Sequence, residues 1–270
     1  MMRGNARIHA ILARDGATAV IFRRGPSKKT AVIGWNLKDD TFKVGQWFYG
    51  SFYPYRCDLS PDGRYLVYFA AKYGWNSWTA VSRAPYLKAL ALWFNGSGWN
   101  GGGLFVDNRR LALNHPPSSH GSAVRVGTCA FQEVPPPDSC KGWGYAGECP
   151  MVYVPRLLRD GWTMLSEDCE GWLFEKPLAK GLKLRKWFVA GRPGPNHGCY
   201  WERHAVVDAT DKTTVDGTNW SWADYDRSRK RVVLAEGGVL SELRITGEGL
   251  KQAPLRDFND MKSERLKAPY

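Results

Sequence analysis

Cys57-Asp58-Leu59-Ser60-Pro61-Asp62-Gly63-Arg64-Tyr65-Leu66-Val67-Tyr68-Phe69-Ala70 reads as a tight turn feeding a buried strand. Asp62 and Gly63 tolerate the positive φ that a two-residue hairpin turn demands. The run from Tyr65 to Ala70 is apolar, of strand length, and too short for a helix of its own. The same order, an Asp in a turn and then a short apolar run, returns along the chain. It is found at Asp15-Gly16 before residues 17–22, at Asp107-Asn108 before 111–113, at Asp160-Gly161 before 162–165, and at Asp226 before 231–235. The steps between these aspartates are 47, 45, 53 and 66 residues, near the roughly 40–50 residues of one four-stranded propeller blade. Each copy is expected to be a hairpin. A further strand is expected after each, at residues 30–37, 86–94, 123–131, 182–190 and 238–245, with an extra one at 78–82.

The Ser-Pro-Asp-Gly turn followed by a polar residue and an apolar strand resembles the WD-repeat-like repeat of TolB-type β-propellers. The fifth copy, from Trp222 to Leu240, is similar in layout but lacks the Pro and the turn Gly; the other three keep only the Asp turn and the strand. The resemblance implies an all-β chain, a five-bladed β-propeller in a single domain over 1–250; beyond it the polar, charged residues 251–270 read as a tail outside the core, with a short helix expected at 257–266. It transfers no catalytic residue, because such repeats serve many functions. A β-sandwich with Asp-Gly hairpins is the competing architecture; it does not explain a recurrence that fills the chain. Insertions at 95–103, 115–122 and 132–150 are expected to be loops.

In 270 residues, 38 Lys+Arg stand against 26 Asp+Glu for a net charge of +12, and 43% of residues are hydrophobic, which excludes a disordered chain. No apolar run approaches the ~18 residues of a membrane span, and the first residues carry charge but no signal-like apolar stretch. A cytoplasmic protein with reduced thiols is expected, because six cysteines are few for this length. The charge suits an acidic protein partner or a nucleic acid.

Several constellations could carry chemistry. Strand alternation from Trp201 to His204 puts Glu202 and His204 on one face, and with Asp224 they could supply the carboxylates of a carbohydrate-active hydrolase if they converged near a propeller channel with a raised carboxyl pKa. Asp224 and Asp226 share a strand face, where turn chemistry at the hairpin, as in the other four copies, is the preferred reading. Cys129, Cys140 and Cys149, with His115 and His120, match no zinc-knuckle spacing, so no metal is expected. Gly101-Gly102-Gly103 lacks the residues of a phosphate loop, and no cofactor is expected. Trp35, Trp93, Trp162, Trp187 and Trp222 fall at repeated strand or turn positions and read as packing between blades. Trp75, Trp78, Trp99 and Trp143 fall in loops and, with Arg229, Lys230 and Arg231, form the candidate binding surface. The leading expectation is a non-enzymatic scaffold that binds a protein through aromatic-rich loops; the hydrolase and a basic nucleic-acid-binding propeller are its alternatives.

Overall fold

Asp62 turns the chain by accepting hydrogen bonds from the Ser60 hydroxyl (2.6 Å) and the Arg64 amide (3.0 Å), while Arg64 Nε reaches its other oxygen at 2.9 Å. The same device recurs. Asp107 accepts the Arg109 and Arg110 amides, each at 2.8 Å, and pairs with Arg110 Nε at 2.6 Å. Asp226 accepts the Ser228 amide at 3.0 Å and pairs with Arg231 Nε at 2.9 Å. An aspartate capping its own turn thus also neutralises an arginine at or beside the opening of the next strand.

The computed structural model describes residues 5–25, 28–72, 76–115, 123–125, 131–135, 148–169, 171–191, 193 and 198–270. Blade one is β1 (Arg7–Leu12), β2 (Thr18–Arg24), β3 (Lys29–Asn36) and β4 (Thr41–Tyr49); blade two holds β5 (Ser51–Phe52), β6 (Asp58–Leu59), β7 (Tyr65–Ala71), β8 (Ser77–Arg83) and β9 (Ala89–Phe94). Blade three has β10 (Gly103–Phe105) and β11 (Arg110–Leu113). Then β12 (Ala123–Arg125) returns to the edge of β9, and β13 (Gln132–Glu133) runs parallel to β11. After α1 (Pro150–Arg159), blade four is β14 (Thr163–Asp168), β15 (Gly171–Pro177), β16 (Lys183–Ala190), β17 (Tyr200–Val207) and β18 (Thr213–Gly217). Blade five is β19 (Trp222–Asp226), β20 (Arg231–Glu236), β21 (Val239–Thr246) and β22 (Gly249–Asp257). The chain is all-β, a five-bladed β-propeller, as the recurrence predicts.

By its internal contacts the chain divides into two compact units: Ala10–Arg159 with Lys262–Tyr270, and Met1–His9 with Asp160–Met261. In the first, consecutive blade turns touch, Asp15 donating its amide to the Pro61 carbonyl (3.0 Å) and Asp62 its amide to Asn108 Oδ1 (2.9 Å). Its core packs Phe22, Val32, Phe52, Leu66 and Tyr68 in one cluster and Val67, Val81, Trp93, Phe105 and Leu111 in another. The amphipathic α1 is pinned there: Arg159 forks onto Asp58 (2.5 and 2.9 Å), and Tyr153 meets Tyr55 edge-on at 4.8 Å. In the second unit, Arg227 reaches the Asp160 carbonyl at 3.5 Å, again joining neighbouring turns.

Five expectations need correction. Asp160-Gly161 is not a hairpin turn; it links α1 to β14, because Pro150 opens a helix and its last turn carries Arg156 and Arg159. The tail does not begin at 251, since β22 runs to Asp257 as the solvent-facing outer strand, polar because nothing apolar covers it. No helix forms at 257–266. The strand expected at 86–94 begins at Ala89, and that expected at 123–131 covers only 123–125 among the described residues. Among the described residues no helix is long and apolar enough to cross a membrane.

Candidate functional site

Register brings the predicted acid–imidazole pair into a closed setting. On β17, Glu202 and His204 both face inward, and their cross-strand partners on β16 are Phe188 and Lys186. Lys186 Nζ lies 3.2 Å from Glu202 Oε2, and His204 Nε2 lies 3.2 Å from the same oxygen, off the line of a well-formed hydrogen bond. His204 Nδ1 lies 3.1 Å from the Trp220 carbonyl, which fixes the ring if that nitrogen carries the proton. From blade five Asp224 pairs with Lys176 Nζ at 2.6 Å. The Trp162 ring sits against both ammonium groups, at 4.8 Å from Lys176 and 4.9 Å from Lys186. Lys176, Lys186, Glu202 and His204 are buried, and Asp224 at the edge of the cluster is half-buried.

The electrostatics follow from that packing. Burial by itself would raise the Glu202 carboxyl, but Lys186 and then His204 outweigh it and hold Glu202 below the ordinary carboxylate value. Asp224 is lowered in the same way by Lys176 and Lys186 against its own burial. Burial pushes Lys186 down despite the pull of Glu202, and pushes His204 down as well. The raised carboxyl pKa expected of a hydrolase is not found: both acids are held ionised, whereas a general acid must keep its proton near neutrality. Asp226 stands apart, occupied with its turn and Arg231.

The candidate binding residues separate as clearly. Trp99 is 64% exposed, and Phe94, at the end of β9, is 60% exposed. The loop that carries Trp99 is braced from beneath. Buried Arg56 stacks on Tyr53 (5.3 Å) and Phe69 (5.0 Å) and donates to the Gly98 (2.7 Å) and Asn100 (3.3 Å) carbonyls. Asn95 Nδ2 also holds the Asn100 carbonyl, and Ser77 Oγ holds that of Ser97. At the loop base Gly101 N–H bonds the Asn114 carbonyl (2.8 Å), and Gly102 N–H bonds Thr79 Oγ1 (2.7 Å), itself 2.8 Å from His115 Nε2. Gly102 sits at φ +83°, where a Cβ would collide with the Arg56 carbonyl; the glycines thus let the loop seat against its brace.

Trp78 is half-buried and packs edge-on against Phe48 at 5.8 Å, so it belongs mostly to the blade. Lys230 is exposed in the β19–β20 turn and Arg229 is half-buried. Arg231 is a correction: it is fully buried, held by Asp226 (2.9 Å) and Glu242 (2.7 Å), because the turn aspartate needs a counter-charge. Trp35, Trp93, Trp162 and Trp222 are buried, whereas Trp187 is half-exposed with Arg203 stacked on it at 4.8 Å. Trp75, Trp143, Cys129, Cys140 and His120 lie outside the described residues. His115 is committed to Thr79, and burial raises the Cys149 thiol. Among the described residues no group of three potential ligands could hold a metal.

Missed by sequence reasoning were Lys176, Lys186 and Arg56. Buried lysines on the two preceding strands, Lys186 opposite His204 on β16 and Lys176 on β15, were the available clue, but it needs the register to be read.

No protein family and no curated protein matches the chain. Among solved structures it is similar to the uncharacterised protein lmo1340 from Listeria monocytogenes EGD-e, at 9% identity and TM-score 0.32, over 94% of this chain and 67% of that one. It is also similar to the GH43 protein BlXynB from Bacillus licheniformis, at 10% identity and TM-score 0.33 over 99% of this chain, and to a point mutant of that protein at 10% identity and TM-score 0.35 over 98%. The chain spans about three fifths of the Bacillus chains, 60% and 59%. These likenesses say nothing about activity.

Proposed function

We propose that this propeller is a non-enzymatic interaction module whose partner docks on the Trp99 loop. The observation that carries the reading is a tryptophan 64% exposed on a backbone fixed by Arg56 and by the bonds at Gly101 and Gly102. A large aromatic on a pre-organised loop loses little entropy on binding, which is the usual make-up of an interface anchor. The net charge of +12 favours a partner of acidic surface, drawn in by electrostatic steering. The Ser60–Gly63 turn supports kinship with the TolB-type repeat, a structural repeat that carries no single chemistry. The hydrolase reading is weaker, since the carboxylates it needs are sealed beside lysines. Nucleic acid is the runner-up ligand, and a steep fall of affinity with salt would mark it.

Site-specific photocrosslinking tests the reading. Benzoylphenylalanine at position 99 of the full chain, expressed in its native cells, should give a discrete protein adduct that is absent when the probe is at Thr41, an exposed position on β4. The same adducts from both positions, or none from position 99, would overturn it.

A further inference from the structure

The last nine residues, Lys262–Tyr270, leave blade five and pack with the unit of blades one to three. They form no helix or strand, and most of their side chains are exposed. Their hold on that unit is concentrated at one residue. The Tyr270 hydroxyl accepts the Arg83 amide at 3.0 Å and donates to the Lys88 carbonyl at 2.8 Å. Its ring lies under the Arg83 guanidinium (4.9 Å) and the Lys88 ammonium (5.3 Å), with Tyr86 edge-on at 6.2 Å. Lys88 Nζ also donates to the Tyr270 carbonyl. Upstream, Gln46 donates to the Leu266 carbonyl (2.9 Å) and accepts the Leu87 amide (2.8 Å).

The slot's backbone is held by bonds that do not involve Tyr270. Tyr86 N–H bonds the Arg83 carbonyl (2.8 Å), Ser82 Oγ the Tyr86 carbonyl (2.6 Å) and Ala84 N–H the Arg64 carbonyl (2.9 Å). Gly45 admits the turn, since a Cβ there would overlap the Pro85 carbonyl. What the slot offers is one backbone donor and one backbone acceptor at the phenol position, with two cations over the ring. Tyrosine satisfies both, and a site built to bond a hydroxyl discriminates strongly against the analogue that lacks it. Phenylalanine would leave both groups unpaired, and the cations favour an aromatic ring.

The charge of the present occupant fits this surface badly. Lys262, Arg265 and Lys267 outnumber Glu264 in the segment that precedes a slot flanked by Arg83 and Lys88, with Lys43 5.8 Å from the Tyr86 ring. We infer that the turn from Ser82 to Lys88 is a tyrosine-reading peptide site, filled here in cis by Tyr270, whose partner is an extended segment carrying a tyrosine next to acidic residues. Such a segment keeps the phenol contacts and replaces like-charge repulsion with attraction. The inference is independent of the Trp99 reading.

Fluorescence anisotropy with fluorescein-labelled, C-terminally amidated Asp-Glu-Asp-Ala-Pro-Tyr tests it on the full chain. The probe should bind the Tyr270→Ala variant at least tenfold more tightly than wild type, because the cis occupant is gone. A probe ending in Phe should bind that variant at least tenfold more weakly, as should Lys-Arg-Lys-Ala-Pro-Tyr. Adding Arg83→Glu and Lys88→Glu should abolish binding. If Tyr270→Ala fails to fold, Tyr270→Phe is used and should bind the acidic probe more tightly than wild type does. Equal affinity of wild type and variant, equal affinity of the Tyr and Phe probes, preference for the basic probe, or no saturable binding to the folded variant would each overturn the inference.

Discussion

Glu202 and Trp99 each sit at the centre of a braced arrangement, but the bracing faces opposite ways. Around Glu202 the charges are turned inward: Lys186 and His204 lie beside it, Trp162 covers the Lys186 ammonium, and the Lys176–Asp224 pair completes the cluster. Around Trp99 the cation is beneath the loop, Arg56 holding carbonyls so that the indole stands in solvent. The lesson is that residue type alone does not tell which of the two faces water. The acid–imidazole pair has the composition of a catalytic site but lies buried against a lysine; the Gly/Asn/Ser loop has the composition of a spacer and presents the most exposed large aromatic among the described residues.

The largest effect separating the two should come from Lys186→Met. Removing the ammonium leaves Glu202 buried without its counter-ion, which should cost about 3–5 kcal/mol in urea unfolding. The double variant Lys186→Met/Glu202→Leu should recover most of that loss, since a well-packed apolar pair can replace a buried ion pair. A Lys186→Met variant as stable as wild type would break the comparison on the Glu202 side.

Arg56→Met should cost less, about 1–3 kcal/mol, because the stem still packs on Tyr53 and Phe69 while the bonds to the Gly98 and Asn100 carbonyls are lost. Its signature is faster amide exchange across residues 98–102, read by mass spectrometry, with the rest of the chain unchanged. Unchanged exchange in the loop would mean that Arg56 does not brace it.

Acid should act on the Glu202 cluster. His204 is held below its ordinary value, so on acidification the unfolded chain takes up that proton first, and stability declines as pH falls past about 6.5. Glu202 and Asp224 are likewise held low, so their contribution is present above about pH 4 and is lost as pH falls from there through their folded values. Melting temperature measured from pH 8 to 3 should fall in two stages, and His204→Gln should flatten the first. A profile unchanged by that substitution would remove His204 from the account. This is the smallest of the stability effects.

The fold was legible where its cause is local. Ser60-Pro61-Asp62-Gly63 makes its turn with its own side chains, so it can be read without knowing any neighbour. The α1 helix was hidden by Pro155 within it and by the Pro-rich stretch before it, although Pro150 at its start and Arg156 and Arg159 at its end are the expected terminal residues. β22 was hidden because its side chains face water, which removes the apolar alternation that betrays a strand. For the site, the shared face of Glu202 and His204 follows from the two-residue period of β17, but the lysines that neutralise them come from β15 and β16, and that depends on register. The exposure of Trp99, likewise, depends on Arg56, 43 residues earlier in the chain.

The claim that the Trp99 loop is the working surface and the Glu202 cluster a support is tested most directly by calorimetric titration of the partner identified by crosslinking. Trp99→Ala should weaken binding by about thirtyfold, near 2 kcal/mol for an anchor residue, with thermal stability unchanged. Leu165→Ala, which trims another exposed apolar side chain, should change affinity less than twofold. Equal affinities for wild type and Trp99→Ala would contradict the account.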